Sequence, residues 1–126
     1  MDPDNLKDIP AFSELTDEER RRIATFANED SIHEGTTLIR EGDYSNEMIA
    51  IESGSADIVR DGETVASVGP GDVVGEIGVL EKGMRNASVV ATSAMRVVRM
   101  TNWDVGRLPK ETRERLLSAA AGKRPS

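Results

Sequence analysis

The sequence lacks cysteine and is poor in aromatic residues, with two phenylalanines, one tyrosine and one tryptophan among 126 residues. The absence of cysteine excludes disulfide bridges and thiolate metal sites, and it predicts a reducing, cytoplasmic location. The scarcity of aromatic side chains predicts a core built mainly from aliphatic residues. No apolar run approaches the roughly 20 residues of a membrane-spanning helix, and the polar start MDPDNLKD is unlike a signal peptide. We therefore expect no membrane partner.

Positive charge is also scarce, because 16 Lys and Arg stand against 23 Asp and Glu and give a net charge of −7. A nucleic-acid-binding face needs clustered positive charge for counterion release, so no nucleic-acid partner is expected. An anionic ligand would have to be captured by local chemistry, against the negative field of the whole chain. The length is that of one domain, and we expect a single domain over residues 1–126.

Helical patterns occupy the two ends of the chain, residues 1–28 and 102–122. In the first of them Thr16 precedes Glu19 by three residues, which is the spacing of a helix capping box. The arginine run 20–22 that follows is expected to lie on a solvent-exposed face of this helix.

Between the helical ends, residues 29–101 contain eight short β-rich runs separated by glycine: SIHE, TTLIRE, EMIAIES, ADIVR, TVASV, DVVGE, ASVVAT and MRVVRM. Short strands at near-regular spacing predict a mainly β sandwich, barrel or jelly roll. Asp61 and Gly62 between two of the runs are a two-residue hairpin signal. A metalloenzyme on such a roll needs two or three histidine ligands, but His33 is the only histidine in the chain. Neither a metal site nor a catalytic residue is predicted.

Residues 76–82 interrupt the strand pattern and predict one short helical turn between two strands. Gly75 and Gly78 would let a ligand approach the backbone, and the N-terminus of a short helix favours an anion. Arg85 can offer a planar fork of donors to a phosphate, and Glu76 can accept from a ribose 2′-hydroxyl. The residues indicate a nucleotide monophosphate site inside the roll. A surface ion pair with ordinary turn glycines is the alternative.

The stretch GEIGVLEKGMRNASV resembles the phosphate-binding cassette of the cyclic nucleotide-binding domain family. This family includes the protein kinase A regulatory subunit, the bacterial catabolite activator protein and cyclic-nucleotide-gated channels. Its pattern is Gly-Glu-apolar-small, a short helix, and then Arg-small-Ala-Thr/Ser-Val, which Gly75–Gly78 and Arg85–Val89 match in order. The resemblance extends from about Leu6 to Leu117. It implies an eight-stranded β-roll or jelly roll (a double-stranded β-helix) with flanking helices and a short cassette helix.

The resemblance also implies roles for individual residues. Arg85 would pair with the exocyclic oxygens of a cyclic phosphate, and Glu76 would accept from the ribose 2′-hydroxyl. Backbone N–H groups of the cassette would complete the phosphate cradle. The expected ligand-binding residues are Val74, Gly75, Glu76, Ile77, Gly78, Arg85, Asn86, Ala87 and Val89, and the expected lid residues over the base are Arg113, Leu116 and Leu117.

A chain of this family that retains Glu76 and Arg85 is expected to be a non-enzymatic sensor of cAMP or cGMP, with cAMP favoured and no cofactor. Asn86 follows the arginine where relatives often carry Ala, Ser or Thr, so the purine stays open. About 25 residues follow the roll, enough for a lid helix but not for an effector domain. The expectation is a stand-alone bacterial regulator with an effector protein in trans. The alternative is a ligand-free scaffold or protein-interaction domain.

Overall fold

The computed structural model describes residues 1–43, 47–75 and 87–121, and for residues 118–121 it describes the backbone alone. Within these ranges the chain forms four helices and eight strands. The helices are α1 (Pro3–Lys7), α2 (Asp17–Ala24), α3 (Asn102–Gly106) and α4 (Lys110–Ala121). The strands are β1 (Asn28–Ile32), β2 (Thr37–Ile39), β3 (Glu47–Ser53), β4 (Ala56–Arg60), β5 (Glu63–Val68), β6 (Val73–Val74), β7 (Ser88–Ala91) and β8 (Met95–Thr101).

The eight strands form two four-stranded antiparallel sheets. The first sheet has the order β1-β8-β3-β6 and the second the order β2-β7-β4-β5. Among the described strands only β4 and β5 are neighbours both in the chain and in a sheet, so the chain repeatedly crosses between the sheets. This is the connectivity of a jelly roll, and the predicted mainly β roll with helices at both ends is confirmed.

The β4–β5 connection is the two-residue hairpin that the sequence predicts. Asp61 and Gly62 have φ angles of 53° and 81°, and Arg60 pairs with Glu63 across the turn. Positive φ at both central residues is the geometry that the right-handed twist of two antiparallel strands requires. Aspartate tolerates this region better than most side chains, and glycine enters it without steric strain.

The first sheet separates two apolar clusters. Along β3, Met48 and Ala50 face the helices, whereas Ile49 and Ile51 face the second sheet. We call the first group the helix-side cluster; it combines Leu6, Ile9, Phe12, Leu15, Ile23, Met48, Ala50, Val73, Val98, Met100, Val105, Leu108 and Leu116 with the small residues Ala11, Ala24 and Ala27. We call the second group the interior cluster; it contains Ile32, Ile39, Ile49, Ile51, Ala56, Val68, Val74, Val89, Ala91, Met95 and Val97. Both are dominated by aliphatic side chains, as the composition predicts.

Helix α2 begins with the predicted capping box. The Thr16 hydroxyl accepts from the Glu19 backbone N–H at 3.1 Å, and the Glu19 carboxylate accepts from the Thr16 N–H at 2.9 Å. The two bonds satisfy donors that the first turn of a helix otherwise leaves without partners.

The expectation that Arg20 lies on an exposed face is wrong. Its side chain is buried, and its guanidinium donates to the backbone carbonyls of Phe12, Ser13 and Leu15 and to the Asp17 carboxylate. The turns between α1 and α2 leave carbonyl oxygens without helical partners, and the five N–H donors of an arginine satisfy several at once. The two arginines that follow are exposed, as expected.

Candidate functional site

Two predicted ligand residues, Val74 and Val89, lie together in the interior cluster and are only 3% and 4% exposed. Val74 on β6 pairs with Ile49, and Val89 on β7 pairs with Ile39 and Ile58 of the flanking strands. These strands belong to different sheets, so the two valines contribute to the same apolar space from opposite sides. Such a surface suits the ring of a sugar or base.

The predicted cassette lies between β6 and β7, and its two ends are fixed by side chains. At the entry, Gly75 has a φ of 91°, and its carbonyl accepts from Nδ2 of Asn102 on α3 at 3.5 Å. At the exit, Ala87 is buried, and the hydroxyl of Ser88 accepts from the Glu41 backbone N–H at 2.8 Å. Five predicted ligand residues lie outside the described residues, as does the predicted cassette helix: Glu76, Ile77, Gly78, Arg85 and Asn86.

Strand β6 connects the two clusters. Val73 belongs to the helix-side cluster and Val74 to the interior cluster, because successive side chains of a strand point to opposite faces. Helix α4 also contacts β6. Strand β6 is therefore in direct contact both with the interior wall and with the residues that pack against the terminal helices.

The predicted lid residues lie on the helix side of the first sheet. Leu116 is fully buried in the helix-side cluster, and Leu117 packs against the same cluster. Arg113 donates from Nη1 to the Gly106 carbonyl at 2.9 Å, which joins α4 to α3. The structure thus places Leu116 and Leu117 in a different cluster from the valines of the interior wall. Their role as a lid stays a prediction.

Comparison with known proteins decides the family. The model of the family described as "Cyclic nucleotide-binding domain" matches residues 29–112, from the first strand to the start of α4. The chain belongs to this family. The resemblance carried by the glycine-rich segment is thereby confirmed.

Relatives of the domain include regulatory proteins and solved structures. The cAMP-dependent protein kinase regulatory subunit of Colletotrichum orbiculare is 36% identical over 124 residues, which cover 97% of this chain and 30% of that protein. A cyclic nucleotide-binding domain from Methylobacillus flagellatus has a TM-score of 0.80 at 19% identity, covering 95% of this chain and 76% of that one. The regulatory domain of Toxoplasma gondii protein kinase A, crystallised with cAMP, has a TM-score of 0.77 at 23% identity, covering 97% of this chain and 49% of that one. The domain spans less than a third of the curated regulatory subunits that it matches.

A buried carboxylate joins the two helical ends of the domain, and sequence reasoning missed it. Besides its capping bond, Glu19 accepts from the Thr112 hydroxyl at 2.5 Å and from Nη2 of Arg115 at 2.9 Å, both on α4. The bond from Thr112, together with the Thr16 backbone N–H and the charge of Arg115, holds the pKa of the Glu19 carboxyl below its ordinary value. The Thr16–Glu19 spacing predicts the hydrogen bond that one carboxylate oxygen accepts in the capping box. No local pattern predicts a partner of the other oxygen that lies more than 90 residues away in the chain.

A second charged cluster lies on the first sheet. Arg96 on β8 is 2.9 Å from the Glu29 carboxylate on β1 and 3.8 Å from the Glu52 carboxylate on β3. Burial and the nearby Glu29 carboxyl raise the pKa of Glu52. The hydrogen bond with Glu52, together with Arg96, lowers the pKa of Glu29. The single guanidinium therefore stabilises Glu29 more than Glu52.

Within the described ranges no three His, Asp or Glu residues are grouped to hold a metal ion. None of the helices described is both long and apolar enough to cross a membrane.

Proposed function

We propose that residues 1–126 act as one cytoplasmic, non-catalytic domain that binds a cyclic nucleotide, cAMP in preference to cGMP, and signals to a protein partner in trans. The family match over residues 29–112 carries the proposal, because it includes the whole cassette and the strands on either side. The preference for cAMP is supported by the similarity to regulatory subunits named as cAMP-dependent.

The ligand would lie between the apolar wall and the cassette. Val74 and Val89 would contact the sugar and base, Glu76 would accept from the ribose 2′-hydroxyl, and Arg85 would bind the cyclic phosphate. The overall charge of −7 repels a phosphate, so a local guanidinium is the group that would make binding favourable. Hydrogen bonds to charged groups contribute about 1.5–3 kcal/mol each. Loss of Arg85 should therefore weaken binding by about 100-fold or more.

The signal would pass through β6 and the helices that contact it. A ligand shifts a conformational equilibrium only to the extent that it binds one state more tightly. Val74 at the interior wall and Val73 in the helix-side cluster are adjacent residues, so a ligand that moves one moves the other. Helices α3 and α4 would then change position and present a different surface to a partner.

The test is isothermal titration with cAMP and with cGMP, after unfolding and refolding to remove any nucleotide that co-purifies. We expect micromolar or tighter binding to one of them. Arg85→Ala should weaken it by about 100-fold or more, whereas Arg21→Ala, a control at an exposed arginine of α2, should bind as the unmodified domain does. If the folded domain produces no heat with either nucleotide, the proposal fails and the scaffold alternative replaces it. Equal binding by Arg85→Ala would refute the assignment of the phosphate site.

A further inference from the structure

Strand β5 is the one long and weakly charged edge of the two sheets that the described strands form. The sheets end at β1, β6, β2 and β5. Strands β6 and β2 contain two and three residues, and β1 carries the carboxylates of Glu29 and Asp30. Strand β5 has six residues, of which the first five are exposed, and Glu63 is its only charged residue. Short length and charge commonly protect an edge from pairing with another chain, and β5 has little of either.

An extra residue in β5 interrupts its pairing with β4. Thr64 pairs with Val59 and Ala66 pairs with Ile58, so Val65 has no partner in the β4 register and forms a bulge. A bulge changes which backbone groups of a strand point away from its neighbour. The free side of β5 therefore differs from that of a regular strand.

The backbone groups of Thr64 and Ser67 point away from β4. In an antiparallel pair, residues that exchange hydrogen bonds alternate with residues whose N–H and C=O groups point outward. The residues that flank a two-residue hairpin exchange hydrogen bonds, so the pairs that contain Val59 and Asp57 are of the outward kind. Their partners on β5 are Thr64 and Ser67, and the Ser67 hydroxyl donates to the Asp57 carboxylate at 2.9 Å. Because of the bulge these outward groups are three residues apart, whereas a regular strand spaces them by two.

The three-residue spacing selects the partner. A regular strand can meet the outward groups of Thr64 or those of Ser67, but not both in one register. A second copy of β5 that runs antiparallel has the same spacing, so Thr64 of each copy lies opposite Ser67 of the other, as two-fold symmetry requires. In this register Glu63 lies opposite Val68 of the second copy, so no like charges face each other.

We propose that the β5 edge binds a second copy of this chain, with Thr64 opposite Ser67, and joins the second sheets of two domains into one eight-stranded sheet. The side chains of Thr64 and Ser67 lie on the outer face of this sheet, because their β4 partners alternate with Ala56 and Ile58, which pack in the interior cluster. The pairing therefore leaves the interior wall in place and does not depend on nucleotide binding. One strand edge buries less area than a standard interface, so the dimer is a transient one.

The first test is disulfide trapping, which is clean because the chain contains no cysteine. Two variants, Thr64→Cys and Ser67→Cys, carry tags of different size and are mixed under oxidising conditions without nucleotide. Opposed residues of a hydrogen-bonded pair have Cα atoms about 5.5 Å apart, which a disulfide can bridge. Residue 64 of one copy lies about 10 Å from residue 64 of the other, which is too far. We expect about tenfold or more mixed disulfide than either same-variant disulfide.

The control for random collision is Ser13→Cys, an exposed position in the turns before α2, mixed with Thr64→Cys. This mixture should give only the background yield. A mixed disulfide of residues 64 and 67 that does not exceed this background would refute the pairing. Equal yields of same-variant and mixed disulfides would refute the register.

The second test is sedimentation velocity over a range of protein concentrations. Thr64→Pro removes an N–H that points away from β4, so the hairpin keeps its own hydrogen bonds, whereas the control Thr64→Val keeps this N–H. We expect the mean mass of the unmodified domain and of Thr64→Val to rise towards twice the monomer mass with concentration, and Thr64→Pro to stay monomeric. Two domains of net charge −7 repel each other, so added salt should strengthen the association.

Three outcomes of sedimentation would overturn the proposal. An unmodified domain that stays monomeric at every concentration contradicts it, whatever the nucleotide titration shows. A Thr64→Pro variant that unfolds cooperatively in urea and still dimerises shows that another surface is used. An association that weakens as salt is added shows that ion pairs hold the copies together, which the weakly charged β5 edge does not provide.

Discussion

Replacing Glu19 with glutamine should loosen the attachment of the C-terminal helix to the N-terminal helices. Glu19 is 7% exposed, and its carboxylate accepts from three groups: the Thr16 N–H, the Thr112 hydroxyl and the Arg115 guanidinium. Glutamine has nearly the same shape but one acceptor oxygen in place of two. At least one of the three donors then meets an NH₂ group, which cannot accept a hydrogen bond.

The loss of unfolding free energy in Glu19→Gln can be estimated from the groups that donate to the carboxylate. Exchanging the charged acceptor of the Thr112 hydroxyl for a neutral one removes about 1 kcal/mol, and a buried donor left without an acceptor costs about 1 kcal/mol more. The Arg115 side chain is half exposed, so its ion pair adds only about 0.5 kcal/mol. Together these losses lower the free energy of unfolding by about 2.5 kcal/mol near neutral pH.

The pH dependence has a definite sign. The pKa of Glu19 is lower in the folded domain than in the unfolded chain, where a glutamate titrates at about 4.3. The stability contributed by the charge is therefore fully present above about pH 4.3 and is lost as the pH falls through the lower folded-state pKa. The difference between the unmodified domain and Glu19→Gln should shrink over that interval.

Urea unfolding followed by far-ultraviolet circular dichroism, from about pH 7 to about pH 3.5, measures both effects. The matched control is Glu18→Gln, because Glu18 is an exposed neighbour whose carboxylate lies 3.8 Å from Arg22. We expect the control to change stability by less than about 0.5 kcal/mol. If the two variants are equally stable, or if the Glu19→Gln difference does not depend on pH, the buried carboxylate does not join the helices as described.

Three further changes have predicted outcomes. Gly54→Ala should lower stability by about 3 kcal/mol or more, because φ is 87° and a Cβ would collide with the Ala94 carbonyl oxygen. Gly62→Ala is the control, because φ is 81° but a Cβ at this position would meet no other atom. It should lower stability by only about 1 kcal/mol in the same urea assay. Glu52→Gln should raise stability near neutral pH, because the folded-state pKa of this carboxyl is raised and its charged form destabilises the fold. The gain should disappear as the pH falls and the carboxyl of the unmodified domain is protonated. A stability difference between the two proteins that does not change with pH would contradict this. Trp103, the single tryptophan, lies on α3 and is 73% exposed. Because binding of cAMP is proposed to move α3, it should change the surroundings and therefore the fluorescence of Trp103. An unchanged spectrum at saturation would argue against movement of α3.

The strands were predictable because their signals are local. Seven of the eight β-rich runs contain all or most of one observed strand, whereas SIHE shares only its first two residues with β1, which begins at Asn28. The hairpin at Asp61 and Gly62 follows from the conformational freedom of those two residue types. The capping box was also predictable from the sequence, since both of its residues lie within one turn of helix.

Contacts made over long sequence separations were not predictable in the same way. The burial of Arg20 depends on how the preceding turns fold back on α2, and the Asn102–Gly75 contact joins residues 27 positions apart. An arginine in a charged run and an asparagine at a helix start have ordinary solvent-exposed explanations. Only the fold shows that their polar groups are buried.

The most direct test of the central claim compares ligands that share a base and differ in the phosphate. The domain is titrated with cAMP and with 5′-AMP under identical conditions, and cAMP is then used to displace any bound 5′-AMP. We predict that cAMP binds about 100-fold or more tightly than 5′-AMP. The cassette would fit a phosphate that bridges the 3′ and 5′ oxygens of the ribose, whereas the phosphate of 5′-AMP is attached at the 5′ oxygen alone. Equal affinity for the two nucleotides, or tighter binding of 5′-AMP, would show that the site is a general anion or nucleotide site and would contradict the account.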